Sequence, residues 1–333
     1  MRFAVLDDEE GYARSVDWSR LPAEVTVDVL GRMPADPAHL VEQLLDHEIV
    51  LAMRERTAFP AAVLGALPAL RLLVTTGMQN PSIDLVAATQ LGILVSGTPA
   101  AGEGPAEQTW ALLLGLLRQV AREDAAMRAG RWGSAVGRGL HGQTIGLIGL
   151  GKIGSRVARV ARAFDMSVLA WSPHLTAERA AEHGTRRVEL AELLGSADVV
   201  SIPIRLSDRT RGLIGTSALA LMQPHAVLVN TSRGPIVDEA ALVRALRERT
   251  IGGAALDVYD IEPLPPGHPL TTLDNTLLAP HRGYVTEENF ATYYAGAVDS
   301  VRAFVAGEPV RVLNPAVLDA ANVRLALGGD REV

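Results

Sequence analysis

The stretch Thr144-Ile-Gly-Leu-Ile-Gly-Leu-Gly-Lys-Ile-Gly154 constrains this chain more than any other. Its apolar run from Ile145 to Leu150 has the length of one buried strand. It then turns through Gly149-x-Gly151-x-x-Gly154 into a segment where Val157, Val160, Ala161 and Phe164 recur at helical spacing. Strand, glycine turn and helix together are the setting in which this motif signals dinucleotide binding. The first glycine permits the tight turn, the second lets backbone approach a pyrophosphate, and the third lets helix pack closely on strand. The helix N-terminus adds free N–H groups and partial positive charge. Glycines also mark ordinary turns, so the flanking strand and helix carry the reading.

At 333 residues, the chain has room for about two domains. No apolar run reaches the roughly 18 residues of a membrane span, so no membrane partner is expected. The opening Met1-Arg-Phe-Ala-Val-Leu6 reads as a first strand rather than a secretion signal. There are no cysteines, which excludes disulfides, thiolate metal sites and cysteine nucleophiles, and fits a cytoplasmic protein. No His pair has metal-ligand spacing, so no metal is expected. A net charge of −7 speaks for solubility and against a nucleic-acid partner.

Residues 1 to 98 alternate short apolar runs with helical patterns. Strands are expected at Phe3–Leu6, Val25–Val29, Ile49–Ala52, Leu72–Thr75 and Ile93–Val95, with helices between them, as at Ala38–Leu45 and Ser82–Thr89. This alternation implies a parallel sheet covered by helices. The breaker-rich Gly97-Thr-Pro-Ala-Ala-Gly-Glu-Gly-Pro105 is where the chain leaves that domain. One long helix is expected from Ala106 to Ala129. Its first half is apolar on nearly every side, which suggests a subunit interface and a homodimer, or a helix sandwiched between domains. A second series of strands starts at the glycine motif and continues with Ser167–Trp171, Asp198–Ile202, Ala226–Asn230, Ala254–Val258 and Thr276–Ala279. A helix at Glu287–Val305 follows. The tail near Val310–Leu313 either adds a strand or packs back on the first domain. The expected division is residues 1–98 plus 285–333 for one domain and 99–284 for the dinucleotide-binding domain inserted into it.

Three of the later strands run into charged residues: Arg233 after Ala226–Asn230, Glu262 after Ala254–Val258, and His281 after Thr276–Ala279. In a doubly wound sheet these exits share the cofactor's side. Arg is the planar fork that grips a carboxylate in two places. His exchanges a proton near neutral pH, and a carboxylate beside it fixes the tautomer and stabilises imidazolium. Next to a nicotinamide, the set suits hydride transfer at a hydroxyl-bearing carbon α to a carboxylate. Each alone also has a plainer explanation: a turn arginine, a solvated loop glutamate, a satisfied histidine. Asp257, inside an apolar strand, is a buried carboxylate that needs partners.

The chain resembles the D-isomer-specific 2-hydroxyacid dehydrogenases. The likeness is carried by Gly146–Gly154, Leu228-Val-Asn-Thr-Ser-Arg-Gly-Pro-Ile-Val-Asp238, Ala255-Leu-Asp-Val-Tyr-Asp-Ile-Glu-Pro263 and Ala279-Pro-His-Arg-Gly283. The resemblance implies an α/β fold of two Rossmann-like domains, with the nucleotide-binding domain inserted into a flavodoxin-like substrate domain. It implies that Arg233 orients the substrate, that His281 is the acid–base, and that Glu262 holds His281. It places Gly149, Gly151, Lys152, Ile153, Gly154, Ser172, Pro203, Thr231, Ser232, Arg233, Asp257 and His281 along the cofactor. Thr76, Gly77 and Met78 join Arg233 and His281 around a small 2-hydroxy or 2-keto acid. Several features depart from the family pattern. The loop Gln79–Asp84 is longer, Pro203 and Arg205 stand near the adenine end, and Tyr284 replaces a smaller residue. Ser172 sits where an acidic residue normally reads the ribose, so NAD is expected with NADP usable. With the sequence ending at Val333, the added regulatory domain of some phosphoglycerate dehydrogenases is not expected. The competing reading on the same fold is a dinucleotide-sensing corepressor-like binding protein. A third is another Rossmann enzyme class, for which no G-x-S-x-G elbow is present.

Overall fold

A computed structural model describes residues 1–133 and 135–325. The chain divides into two compact units, Met1–Ala101 with Thr286–Val333, and Gly102–Val285. The second unit is thus an insertion in the first.

The first unit is built on β1 (Arg2–Val5), β2 (Thr26–Val29), β3 (Ile49–Ala52), β4 (Leu72–Thr75) and β5 (Leu94–Gly97). They pair in parallel in the order β2-β1-β3-β4-β5, the flavodoxin-like winding. Every residue of β3, β4 and β5 is buried, and β3 and β4 read as near-continuous apolar runs, as parallel strands covered on both faces do. The Glu287–Val305 helix belongs to this unit. Thr286 caps it by accepting from the Asn289 amide, and Glu287 and Glu288 in its first turn complement the helix dipole. Its face of Phe290, Tyr294, Ala297, Val301 and Phe304 is buried. The tail packs back on the sheet: Leu313 donates to the Val95 carbonyl at 2.8 Å, and Ser96 makes one antiparallel bridge with Val312.

The second unit holds β6 (Thr144–Ile148), β7 (Ser167–Trp171), β8 (Arg186–Arg187), β9 (Val199–Ser201), β10 (Val227–Asn230), β11 (Gly253–Leu256) and β12 (Thr276–Leu278). All pair in parallel, in the order β12-β11-β10-β9-β6-β7-β8. The winding reverses between β6 and β9, and ligands of such sheets bind outside the strand ends at that reversal.

The helix expected over Ala106–Ala129 is two helices, Gly104–Leu117 and Val120–Arg128. They break at Gln119, which takes a left-handed φ of 53°. The apolar first half is absorbed by its own unit: Trp110, Leu112, Leu113 and Leu117 are buried in one core with Val157, Ala161, Val229 and Ala255. Burying one leucine is worth about 1.5–3 kcal/mol, so the all-round apolarity is explained without a second subunit.

Candidate active site

The glycine turn works as its spacing predicts. Gly149 has a φ of 114°, open to glycine alone, and a side chain there would press on the Ile204 amide. Its N–H donates to the Trp171 carbonyl at 2.7 Å, which ties the turn to the end of β7 and brings Ser172 alongside. A Cβ on Gly154 would collide with the Gly149 carbonyl, whereas one on Gly151 would meet nothing within 4 Å. Gly154 therefore serves packing, and Gly151 keeps space clear. The amides of Gly151, Lys152, Ile153 and Gly154 donate to no protein acceptor among the described residues. Four free donors at the head of the Lys152–Ala163 helix form an anion cradle that fits a pyrophosphate. Pro203 and Ile204, just past β9, line the opposite side of the turn.

Beyond β10, the buried Asn230 organises the loop. It donates from Nδ2 to the Arg233 carbonyl at 3.0 Å and accepts the Ser232 amide at 3.1 Å. Ser232 reaches the Ile204 carbonyl, and Thr231 pairs with Thr109 at 2.7 Å. Arg233 turns one guanidinium nitrogen back on the Ser232 carbonyl at 2.8 Å.

β11 ends at Leu256, so Asp257 is the first residue past the strand rather than one within it. Its carboxylate is wholly buried and fully used. It accepts the Arg282 and Gly283 amides at 2.8 Å each, and Gln108 Nε2 at 3.1 Å. Burial pushes its pKa up, and these hydrogen bonds oppose the shift. Asp257 thereby pins the His281 loop to β11. Sequence reasoning missed Gln108 and Thr109. Their only signal is that, with Glu107, they are the polar side chains of an otherwise apolar helix.

The His–Glu pair is formed. His281 Nδ1 lies 2.6 Å from Glu262 Oε2, and the other carboxylate oxygen accepts the Tyr259 amide at 2.9 Å. With a carboxylate as acceptor, Nδ1 is the protonated nitrogen, which leaves Nε2 as the nitrogen that can exchange a proton. His281 has a left-handed φ of 54°, an uncommon conformation for a residue with a side chain. The Tyr259 hydroxyl donates to the Ala279 carbonyl at 2.9 Å, bracing the exit of β12. Burial, with the charges of Asp257 and Glu262, raises the Tyr259 pKa and keeps that proton on.

In the first unit, the Thr76–Met78 loop follows β4. Thr76 donates its amide to the Ala52 carbonyl at 3.1 Å, and Gly77 donates to the Thr98 hydroxyl at 2.9 Å. The next two amides, Met78 and Gln79, have no protein acceptor among the described residues. Arg54, which the sequence reading passed over, lies under this loop. Its backbone N–H and guanidinium both bond Thr76, and a Cβ on Gly77 would strike the guanidinium. No group of His, Cys, Asp or Glu able to hold a metal exists among the described residues, and no helix there is long and apolar enough to cross a membrane.

Residues 110–283 match the family model described as "D-isomer specific 2-hydroxyacid dehydrogenase, NAD binding domain". The chain is 41% identical over 267 residues to a glyoxylate reductase of Aeropyrum pernix, covering 77% of this chain and 80% of that one. It is 38% identical over 253 residues to a D-3-phosphoglycerate dehydrogenase of Methanocaldococcus jannaschii, covering 75% of this chain but 48% of the longer relative. Among solved structures, a phosphoglycerate oxidoreductase of Vibrio cholerae superposes with a TM-score of 0.88 at 34% identity, over 92% of this chain and 99% of that one. With the glycine turn, the strand exits and these relatives in agreement, the chain belongs to the D-isomer-specific 2-hydroxyacid dehydrogenase family and its second unit is the family's NAD-binding domain.

Proposed function

We propose that this chain reduces a small 2-keto acid to the D-2-hydroxy acid, or runs the reverse reaction, in the cytoplasm. The observation that carries the proposal is the His281–Glu262 contact of 2.6 Å at the strand exits, in the same unit as the anion cradle. A nicotinamide bound there supplies the hydride. Arg233 grips the substrate carboxylate and draws on the carbonyl oxygen through its planar fork. His281 delivers the Nε2 proton to that oxygen as hydride reaches the carbon. Glu262 holds the ring through Nδ1. Met78 and Gln79 supply the free amides of the substrate loop, with Thr76 and Gly77 shaping it. The amides of Gly151, Lys152, Ile153 and Gly154 hold the pyrophosphate, with Gly149 making the turn that presents them; Thr231, Ser232 and Asp257 flank the nicotinamide side. Relatives named glyoxylate reductase and D-3-phosphoglycerate dehydrogenase make glyoxylate, hydroxypyruvate and phosphohydroxypyruvate the first substrates to assay.

His281→Ala is expected to lower kcat by about 10²- to 10⁴-fold, the usual worth of general acid–base catalysis, while NADH affinity holds. Near-wild-type turnover by that variant would remove His281 from the mechanism. A wild-type chain that binds NADH but turns over no 2-keto acid would favour the corepressor-like reading instead.

The homodimer contact expected on the Ala106–Val120 helix is proposed to run from Val120 along the exposed continuation of the chain. Val120, Met127 and Trp132 are exposed, Trp132 at 87%, on the second helix and the segment after it. Such side chains suit a subunit contact. Light scattering should give twice the chain mass, and Trp132→Glu should return it to one. A monomer at micromolar concentration refutes the dimer.

A further inference from the structure

The imidazole of His281 has a second neighbour. The Tyr284 ring stands 5.7 Å from it, centroid to centroid, at an interplanar angle of 78°. The backbone between them is fixed. Asp257 accepts the amides of Arg282 and Gly283, and the Val285 amide closes a turn on the Arg282 carbonyl at 2.9 Å. Gly283 is buried, and a Cβ on it would lie 3.1 Å from the Asp257 carboxylate. Tyr284 is therefore delivered to the histidine by a rigid turn.

One hydrogen bond does not define a ring plane. The contact from Nδ1 to Glu262 tolerates a range of angles, so χ1 and χ2 can still swing the imidazole while that bond holds. That motion displaces Nε2, the atom that must meet the substrate oxygen. An aromatic ring set nearly perpendicular to the imidazole blocks the motion, in the edge-to-face arrangement that aromatic pairs favour.

Building on the acid–base reading of His281, we propose that Tyr284 is a positioning residue for that histidine. It holds the imidazole plane through its ring, not its hydroxyl. A misplacement of about 1 Å near the chemistry can cost a hundredfold in rate, which sets the size of the expected effect.

The test uses the full chain with saturating NADH and its best 2-keto acid. Tyr284→Ala should lower kcat by roughly ten- to a hundredfold, with the keto-acid KM and the NADH Kd little changed. Tyr284→Phe should restore most of kcat. Tyr284→Leu, which keeps bulk without a ring, should behave as Ala and stands in for it should Ala fold poorly by Tm. Added to His281→Ala, the Ala change should cost nothing further. Several results would overturn the inference: wild-type kcat in the Ala and Leu variants, a Phe variant as impaired as Ala, a loss confined to KM, or a further loss in the His281→Ala background. Full turnover by His281→Ala alone would instead strike the acid–base reading beneath it.

Discussion

The molecule contains two parallel sheets whose winding reverses once, between β1 and β3 in the first unit and between β6 and β9 in the second. By topology alone both reversals are ligand crevices. Their contents differ. At the end of β1, Asp7 is 2% exposed and accepts the Met33 amide at 2.9 Å and the Thr57 hydroxyl at 2.6 Å. Arg56 bonds the Asp7 carbonyl and takes Glu10 in a two-pronged pair at 2.7 and 2.9 Å. Side chains close that crevice. At the end of β6 there is only backbone: Gly149, Gly151 and four free amides. Topology offers a site twice; the residues at the turn decide whether it stays open.

The sharpest way to break this contrast is Asp7→Ala. It orphans the buried Thr57 hydroxyl and the half-buried Met33 amide, at about 1–3 kcal/mol for a buried group, so a loss of about 3 kcal/mol is expected by denaturant titration, with NADH affinity unchanged. A variant of normal stability with altered ligand binding would make the first crevice a site after all.

The opposite behaviour is expected of Gly151→Ala. Gly151 takes an extended backbone that any residue adopts, φ −91° and ψ −158°, and a methyl group there meets no protein atom. Stability should hold. The methyl instead occupies the approach of the pyrophosphate, and NADH binding should weaken about a hundredfold, roughly 2.7 kcal/mol. A calorimetric titration with unchanged affinity would show that the cradle is not where the phosphates lie.

These two residues also show what the sequence made legible. The glycine turn was legible because Gly149 and Gly154 answer local steric demands that spacing records. The strands were readable for the same reason: β3, β4 and β7 coincide with the apolar runs at Ile49–Ala52, Leu72–Thr75 and Ser167–Trp171. The short edge strand Arg186–Arg187 was not, since two charged, exposed residues carry no apolar signal. The break at Gln119 was invisible because residues on both sides suit a helix, and the left-handed turn there follows from packing. The apolarity of the Ala106–Val120 helix does not decide the dimer: an apolar surface says that something covers it, and Trp110, Leu112, Leu113 and Leu117 are covered by the chain's own core. Arg233, Glu262 and His281 were legible as strand exits. Gln108 and Arg54 were not, because each acts through a partner distant in sequence.

The smallest expected effect lies at the rim of the open crevice. Dinucleotide-binding domains that use NAD normally carry Asp or Glu near the end of the second strand, where it bonds the ribose 2′-hydroxyl and repels a 2′-phosphate. Here Trp171 ends β7 and Ser172 follows, its carbonyl accepting the Leu175 amide at 3.2 Å in a tight turn. The Gly149 amide on the Trp171 carbonyl keeps this position beside the glycine turn. A serine hydroxyl donates to either a hydroxyl or a phosphate, so the charge barrier against NADP is missing. No arginine follows at once to grip the phosphate; Pro173 and the exposed His174 do. Weak discrimination is the expected consequence, with NADH somewhat preferred and NADPH usable. Ser172→Asp should then shift the kcat/KM ratio toward NADH by about tenfold, 1.4 kcal/mol, mainly through a higher KM for NADPH. Steady-state kinetics with both cofactors on wild type and variant decide it. A wild-type preference beyond about a thousandfold for either cofactor, roughly 4 kcal/mol, would mean that another group reads the ribose and that Ser172 is a bystander at the rim.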